Sequence, residues 1–570
     1  MGPIAWAAGL AVTCAAAVPS AAGEAVVATV HPVATDAALA AVRGGGNAVD
    51  AAVAAALMLG VVDGHNSGIG GGCFILIRSP DGQTVAIDGR ERAPLRATGD
   101  MYLRDGRPQP ELSRLGPLAA GVPGALAAYE EAIRQCGKLT LAEHLLAAAR
   151  VAEEGFAIDR LYARKLERSA ADLARFEGTR AVLLKPDGSP YGEGERLQQP
   201  DLARTYREVA EHGIDWFYRG PFARRVGRWM EEHGGVMRAE DFAAYRARRR
   251  RPVRSTYRGY TVLGFPPPSS GGVHVAQILN ILEQFDLRSL YRTDRGRFYH
   301  VVAEAMKLAF ADRAYWLGDP DFAPVPRGLI DKQYARRLAA RIELDRVIHV
   351  SSHGRPPRRA DDLFERHTTH IAAADSRGNW VAVTATINTA FGSKVIVPGT
   401  GVVLNNQMDD FAIAPGVPNA FGLLGAEANA VAPGKRPLSS MSPTIVLRQG
   451  RPVLTLGAAG GPKIITQVVL GILYHLDLEM PLARAAAAPR IHHQWRPDRL
   501  AVETTMDEDV VTILQQLGHR VHRTGSVGVM QAIGSADQGL VGVHDPRVPG
   551  KAARAVAGSG GRTAQRGSGF

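Results

Sequence analysis

At 570 residues, with 46% hydrophobic and 22% charged side chains, the chain has ordinary globular composition, which excludes a disordered or fibrous protein. Three cysteines, no two at zinc-site spacing, exclude a disulfide scaffold. A formal charge of +11 leaves binding to nucleic acid or an anionic surface open, to be decided by pattern.

Residues 1–23 carry no charged side chain; an apolar run at 4–18 is followed by Pro19-Ser20-Ala21-Ala22-Gly23. This is the pattern of a secretory signal peptide, shorter than the ~20 residues that span a bilayer. A periplasmic or secreted chain with no stable membrane anchor is expected. Residues 38–60 are alanine-rich around Gly44-Gly45-Gly46 and predict helix, glycine break, helix. Strands are predicted at 73–77 and 84–88, joined by the turn Ser79-Pro80-Asp81-Gly82. Residues 118–240 read as mostly helical, with amphipathic stretches at 126–136 and 141–154. A strand is expected at 252–262, and the loop Pro266-Pro267-Pro268-Ser269-Ser270-Gly271-Gly272 opens a helix at 274–283. Residues 351–362 are polar and rich in proline and arginine, as in an exposed, cleavable connector. The glycine-rich, basic tail at 550–570 is expected to be disordered.

Four suggestive patterns fail on physical grounds. Arg246-Ala247-Arg248-Arg249-Arg250-Arg251 lacks the interleaved aromatics of a nucleic-acid site and reads as a solvated face, so no nucleic-acid partner is expected. Gly68-Ile69-Gly70-Gly71-Gly72 leads into a strand, whereas a dinucleotide fingerprint opens a helix. Gly457-Ala458-Ala459-Gly460-Gly461-Pro462-Lys463 has Pro462 and Ile464 where a mononucleotide loop needs Gly and Ser or Thr. His492-His493 is read as a structural pair, because adjacent residues point apart on either a strand or a helix.

Chemistry concentrates at 368–410. Strand-like runs at 368–375 and 380–387 flank the turn Ser376-Arg377-Gly378-Asn379. Pairing Asp375 with Trp380 puts Thr368 opposite Ile387, beside Thr386 and Asn388. On these residues alone the hairpin could equally be a threonine-rich strand pair without chemistry.

The surrounding motifs resolve that ambiguity. Thr368-Thr369-His370-Ile371, Thr384-Ala385-Thr386-Ile387-Asn388-Thr389-Ala390-Phe391-Gly392-Ser393 and Leu404-Asn405-Asn406-Gln407-Met408-Asp409-Asp410-Phe411 resemble the catalytic region of the gamma-glutamyltranspeptidases. So do Arg436-Pro437-Leu438-Ser439-Ser440-Met441-Ser442-Pro443, the Gly460-Gly461 pair, and Asp88-Gly89-Arg90-Glu91-Arg92-Ala93-Pro94. The resemblance runs in order over roughly residues 30–547.

It implies an α+β fold, a four-layer αββα sandwich of the N-terminal-nucleophile hydrolase type, formed by two subunits cut from one precursor. The implied cut at His367–Thr368 separates a large subunit, 24–367, from a small one, 368–570, which pair as a heterodimer. Thr368 would be the nucleophile, its freed α-amine the base, with Thr386 orienting it and Gly460 and Gly461 as the oxyanion hole. Arg90, with Ser439 and Ser440, would bind the donor's α-carboxylate, and Asp410, with Asn388 and Gln407, its α-ammonium. The implied activity is gamma-glutamyl transfer or hydrolysis on glutathione and related donors, with water, amino acids or peptides as acceptors. No cofactor or metal is implied. A cephalosporin (glutaryl) acylase-like activity is the alternative, against which Asp410 and a full lid at 415–429 argue. Two departures stand out: Pro462-Lys463 where the family often has Ser-Arg, and Phe421 where bacterial members often carry Tyr.

Overall fold

The computed structural model describes residues 18–19, 24–357, 370–537 and 539–556. Its architecture follows from strands with two apolar faces. In Gly72–Arg78, Ile75 and Ile77 enter one hydrophobic core while Phe74 and Leu76 enter another. In Thr444–Arg448, Val446 faces outward into a third core while Ile445 and Leu447 share the core of Phe74. A strand buried on both sides needs a layer on each side.

Two seven-stranded sheets result. One runs, edge to edge, Val18–Pro19, Gly539–His544, Val529–Ala536, Arg451–Ala459, Thr444–Arg448, Tyr260–Gly264 and Val253–Tyr257. The other runs Lys551–Val556, Glu24–Thr29, Ile371–Asp375, Trp380–Thr386, Gly72–Arg78, Thr84–Gly89 and Arg248–Arg250. Phe74 and Phe265, from facing elements, stack at 4.1 Å between them. Helices Ala48–Val62 and Ala125–Cys136 cover the second sheet, with Leu141–Glu154 packed outside Ala48–Val62, and Gly271–Leu282 and Lys463–Ile472 cover the first, with Arg295–Trp316 packed on Gly271–Leu282. This is the expected α+β, αββα sandwich.

The glycine break at 44–46 has a steric cause. A Cβ on Gly46 would lie 2.8 Å from the Ala41 carbonyl oxygen, and Gly45 has φ +100°. Asn47 then starts the next helix with a capping box, accepting from Val49 N at 2.8 Å while Asp50 accepts from Asn47 N at 2.8 Å. That helix, Ala48–Val62, is buried on every face, as its uniformly apolar sequence requires.

Several expectations need correction. The hairpin is present, but Ala374, not Asp375, pairs with Trp380. Asp375 is drawn into the turn instead, accepting from Asn379 N at 3.0 Å and Asn379 Nδ2 at 2.8 Å. The strand expected at 252–262 is two strands, broken at Arg258-Gly259, where both residues have positive φ. The tail is not wholly irregular: Lys551–Val556 pairs along Glu24–Thr29, and Lys551 and Arg554 form ion pairs with Asp36 and Glu24. Residues 557–570, most of the expected signal peptide and the expected nucleophile Thr368 lie outside the described residues. The arginine cluster is partly an edge strand, with Arg249 on Glu131 and Arg250 on Asp88 and Asp321. No helix among the described residues is long and apolar enough to cross a membrane.

Candidate active site

The strand Trp380–Thr386 delivers Thr386 to the end of the second sheet, where the chain turns sharply. Asn388 takes φ +78°, a left-handed conformation that asparagine tolerates better than most residues. Its N–H donates to Thr386 Oγ1 at 2.8 Å, which leaves the threonine hydroxyl proton available to another acceptor. Asn388 Nδ2 donates to the Asn406 carbonyl at 3.0 Å. The glycine run at 68–72 permits this packing, since a Cβ on Gly71 would lie 1.9 Å from the Thr386 carbonyl oxygen.

A 3₁₀ turn, Gln407–Asp410, places two more polar side chains beside Thr386. Asn405 anchors the approach, donating to the carbonyls of Gly70 at 2.8 Å and Gly121 at 2.7 Å. Gln407 Oε1 is buried and accepts from no described group. Asp410 Oδ2 accepts from Arg90 Nη2 at 2.7 Å, and Oδ1 from Asn419 Nδ2 at 3.3 Å. Burial raises the Asp410 carboxyl above its ordinary range, with Arg90 opposing the shift. Glu91, also bonded to Arg90 at 3.1 Å, is pushed up to about 7 by burial.

The first sheet contributes the opposite wall. Arg451–Ala459 ends in Gly460 and Gly461, with φ +132° and +60°, and Pro462 then starts the helix Lys463–Ile472. The N–H groups of both glycines donate to no described group. The Phe421 ring packs directly on Gly461, where a Cβ would lie 2.8 Å from Cδ1. Phe421 belongs to the expected lid, which is tied down by Asn419 on Asp410 and by Ala420 N on Asp409 Oδ2 at 2.7 Å.

Thr386, Asn388, Gln407, Asp410, Ser439, Ser440, Gly460 and Gly461 thus surround one cleft. Arg90 does not line it. Its guanidinium is fully buried behind Asp410, held by Asp410, Glu91 and the Pro437 carbonyl. Two lining residues were not found from sequence. Asn66 is fixed by Lys165 Nζ on its Oδ1 at 2.9 Å and by its own donation to Asp63. Arg313 reaches the cleft from the helix Arg295–Trp316, donating to Ser270 Oγ at 3.0 Å and Ser440 Oγ at 3.1 Å. The Asp312-Arg313 pair within the otherwise apolar run 308–316 was the available signal.

The described histidines form no catalytic group at this cleft. His370 is buried and its pKa lowered to about 3 by desolvation, so it is neutral at pH 7. His492 and His493 bond to different partners, Thr466 with Gln494 and Asp498 respectively. His300, Glu304 and His519 lie close enough together to hold a metal ion. However, Lys307 Nζ already sits 2.6 Å from Glu304 and the two imidazoles hydrogen-bond at 2.8 Å, so the group is satisfied without one.

Comparison with known proteins points one way. The family described as Gamma-glutamyltranspeptidase matches residues 34–555. The chain is 42% identical over 533 residues to the glutathione hydrolase proenzyme of Escherichia coli K12, covering 93% of this chain and 91% of that one. Its fold matches the crystal structure of cephalosporin acylase from Bacillus halodurans with a TM-score of 0.84 at 29% identity, over 94% of this chain and 96% of the other. Helicobacter pylori gamma-glutamyltranspeptidase matches at 0.54 and 39% identity, over 56% of this chain and 91% of that chain.

Proposed function

The chain belongs to the gamma-glutamyltranspeptidase family and is an enzyme of gamma-glutamyl transfer and hydrolysis, and from that premise we propose how its residues divide the work. Thr368 is the nucleophile, generated by self-cleavage of a proenzyme. Its hydroxyl attacks the His367 carbonyl and the peptide C–N bond breaks, freeing the Thr368 α-amine and leaving an ester, which water hydrolyses to a His367 carboxylate and the free Thr368 hydroxyl. An α-amine titrates near pH ~8, so at neutral pH a useful fraction is unprotonated and serves as the base.

In turnover the Thr368 hydroxyl attacks the γ-amide of glutathione or a related donor, the α-amine passing its proton to the departing amine. Water or the amine of an amino acid or peptide then resolves the gamma-glutamyl ester. The hydroxyl proton of Thr386 is free to orient the nucleophile. Gly460 and Gly461 supply the N–H groups that receive the oxyanion. Ser439 and Ser440 receive the α-carboxylate, and Asp410, with Asn388 and Gln407, the α-ammonium. Arg90 steadies Asp410 from behind. The segments 24–367 and 368–570 remain together as a heterodimer, exported to the periplasm or beyond after loss of residues 1–23.

One observation carries this reading: residues from both sheets and from two separate loops converge on a single cleft with donors, acceptors and both charge signs. N-terminal sequencing of the lighter fragment tests it. Thr368 should lead, and Thr368→Ala should leave one uncut chain without turnover; a different leading residue refutes the assignment. The similarity to a cephalosporin acylase favours a second reading, cleavage of a glutaryl amide. Assay of a gamma-glutamyl anilide beside a glutaryl anilide separates the two, because a donor without an ammonium leaves Asp410 unmatched.

A further inference from the structure

Polar side chains from both sheets meet at one level just below the cleft. Along Ile371–Asp375, Ala372 and Ala374 face the opposite sheet while Ile371 and Ala373 face outward, so alternation turns His370 inward. The same count along Trp380–Thr386 turns Thr384 and Thr386 inward, and His370 Nδ1 lies 3.4 Å from Thr384 Oγ1. In the facing sheet Ile533 is inward while Met530 and Ala532 are outward, so Gln531 also points inward. Its cross-strand partner is Gly457, and a Cβ on Gly457 would lie 2.3 Å from His370 Nδ1. Paired residues share a face with Cβ atoms about 5 Å apart, so the Gln531 side chain starts beside the His370 ring.

Both residues are 1% exposed. His370 Nε2 and both amide atoms of Gln531 make no hydrogen bond to any described residue. An unpaired buried polar atom costs about 1–3 kcal/mol, so three side by side need a common partner. A water is the smallest group that donates and accepts at once, and three polar neighbours suffice to hold one. The level of this meeting matters as well. Thr368 precedes His370 by two residues, and Thr386, two beyond Thr384, lines the cleft. In the facing sheet Gly457 leads within three residues to Gly460 of the proposed oxyanion hole. Nucleophile and hole therefore belong to different sheets, and His370 and Gln531 lie where those sheets face each other.

We propose that His370 and Gln531 hold a buried water between the sheets, and that this bridge makes both of them positioning residues for the reaction at Thr368. The bridge fixes the strand that follows the nucleophile against the strand that ends in Gly460 and Gly461. It sets the distance over which hydroxyl and oxyanion hole close on one carbonyl. Apolar contacts among Phe74, Phe265 and Ile533 resist separation of the sheets but tolerate sliding, whereas directed hydrogen bonds do not. The proposal rests on the roles given above to Thr368, Gly460 and Gly461.

A crystal structure of matured wild-type enzyme tests the bridge directly: density for one water within about 3.2 Å of His370 Nε2 and of a Gln531 amide atom is expected. Absence of that water, or a Gln531 amide turned directly onto the imidazole, overturns the proposal. Kinetics on matured enzyme test the positioning. Gln531→Met and His370→Leu should each lower kcat for a gamma-glutamyl anilide about tenfold, because a misplacement of about 1 Å can cost 10²-fold in the chemical step. Donor KM should stay within about twofold. His370→Gln keeps a neutral polar atom near the Nε2 position and should remain within about threefold of wild type. The double variant Gln531→Met with His370→Leu should lose no more than the worse single variant, since the two share one water. Equal losses in His370→Gln and His370→Leu, multiplied single effects, or losses confined to KM overturn the positioning role, as does a lowered melting temperature with unchanged kcat. Gln531→Met lies far from the cut in sequence and reports even where His370→Leu fails to mature. If the lighter fragment does not begin at Thr368, the assignment of the nucleophile fails on its own, and the density between His370 and Gln531 still decides the bridge.

Discussion

Replacing Gly461 by alanine tests the proposed oxyanion hole through geometry rather than charge. Gly461 has φ +60°, so an L-residue there costs about 1–2 kcal/mol in backbone strain. The added Cβ would also lie 2.8 Å from Phe421 Cδ1 and 2.9 Å from Cε1, so the ring or the backbone must move. If the backbone yields, an N–H aimed at the developing oxyanion is displaced, and losing one such donor costs about 10²–10³ in kcat. The strain alone should lower stability only by the smaller amount above. The assay is kcat at saturating gamma-glutamyl donor on matured enzyme, with thermal melting in parallel and Gly461→Ala built in both wild-type and Phe421→Ala backgrounds. Removing the ring frees space for the methyl group, so the double variant should recover about tenfold relative to multiplied single effects. A kcat for Gly461→Ala within threefold of wild type would refute the reasoning.

Two further perturbations address charge. Asp410→Ala leaves Arg90 with Glu91 alone; donor KM should rise about a hundredfold while self-cleavage stays nearly complete by electrophoresis, and equal damage to both would make Asp410 structural. His492 is buried and neutral, its pKa lowered to about 3 by desolvation, so the stability it contributes is present above pH 6.5 and lost as pH falls toward 3. His492→Gln should lose about 1.4 kcal/mol less than wild type for each pH unit of acidification in that window, measured by denaturant unfolding; parallel acid slopes would contradict the assignment.

Local patterns carried much of the fold before any coordinates. The Gly44-Gly45-Gly46 break, the strand pair at 73–88 and the helices near 126–154 all depend on neighbours within a few residues. The hairpin register slipped by one because Asp375 bonds Asn379 through both its backbone N–H and its carboxylate, closing the turn one residue tighter than alternation suggests. The strand Lys551–Val556 was missed because its partner lies some 520 residues away and its basic side chains are neutralised only there. Motif resemblance placed eight residues on one cleft, but not their pairing. That Arg90 is taken up by Asp410, while Arg313 reaches the cleft held by the Ser270 and Ser440 hydroxyls, depends on tertiary geometry.

The strand order of the two sheets bears on what a cut between His367 and Thr368 would do. In the second sheet Glu24–Thr29 is gripped between Lys551–Val556 and Ile371–Asp375, and Gly72–Arg78 is zipped to Trp380–Thr386. In the first, Tyr260–Gly264 is laced to Thr444–Arg448. Neither polypeptide would own a complete sheet, so the halves stay entangled after scission, and folding has to come before it. Halves synthesised apart would each lack the partner strands that complete both sheets.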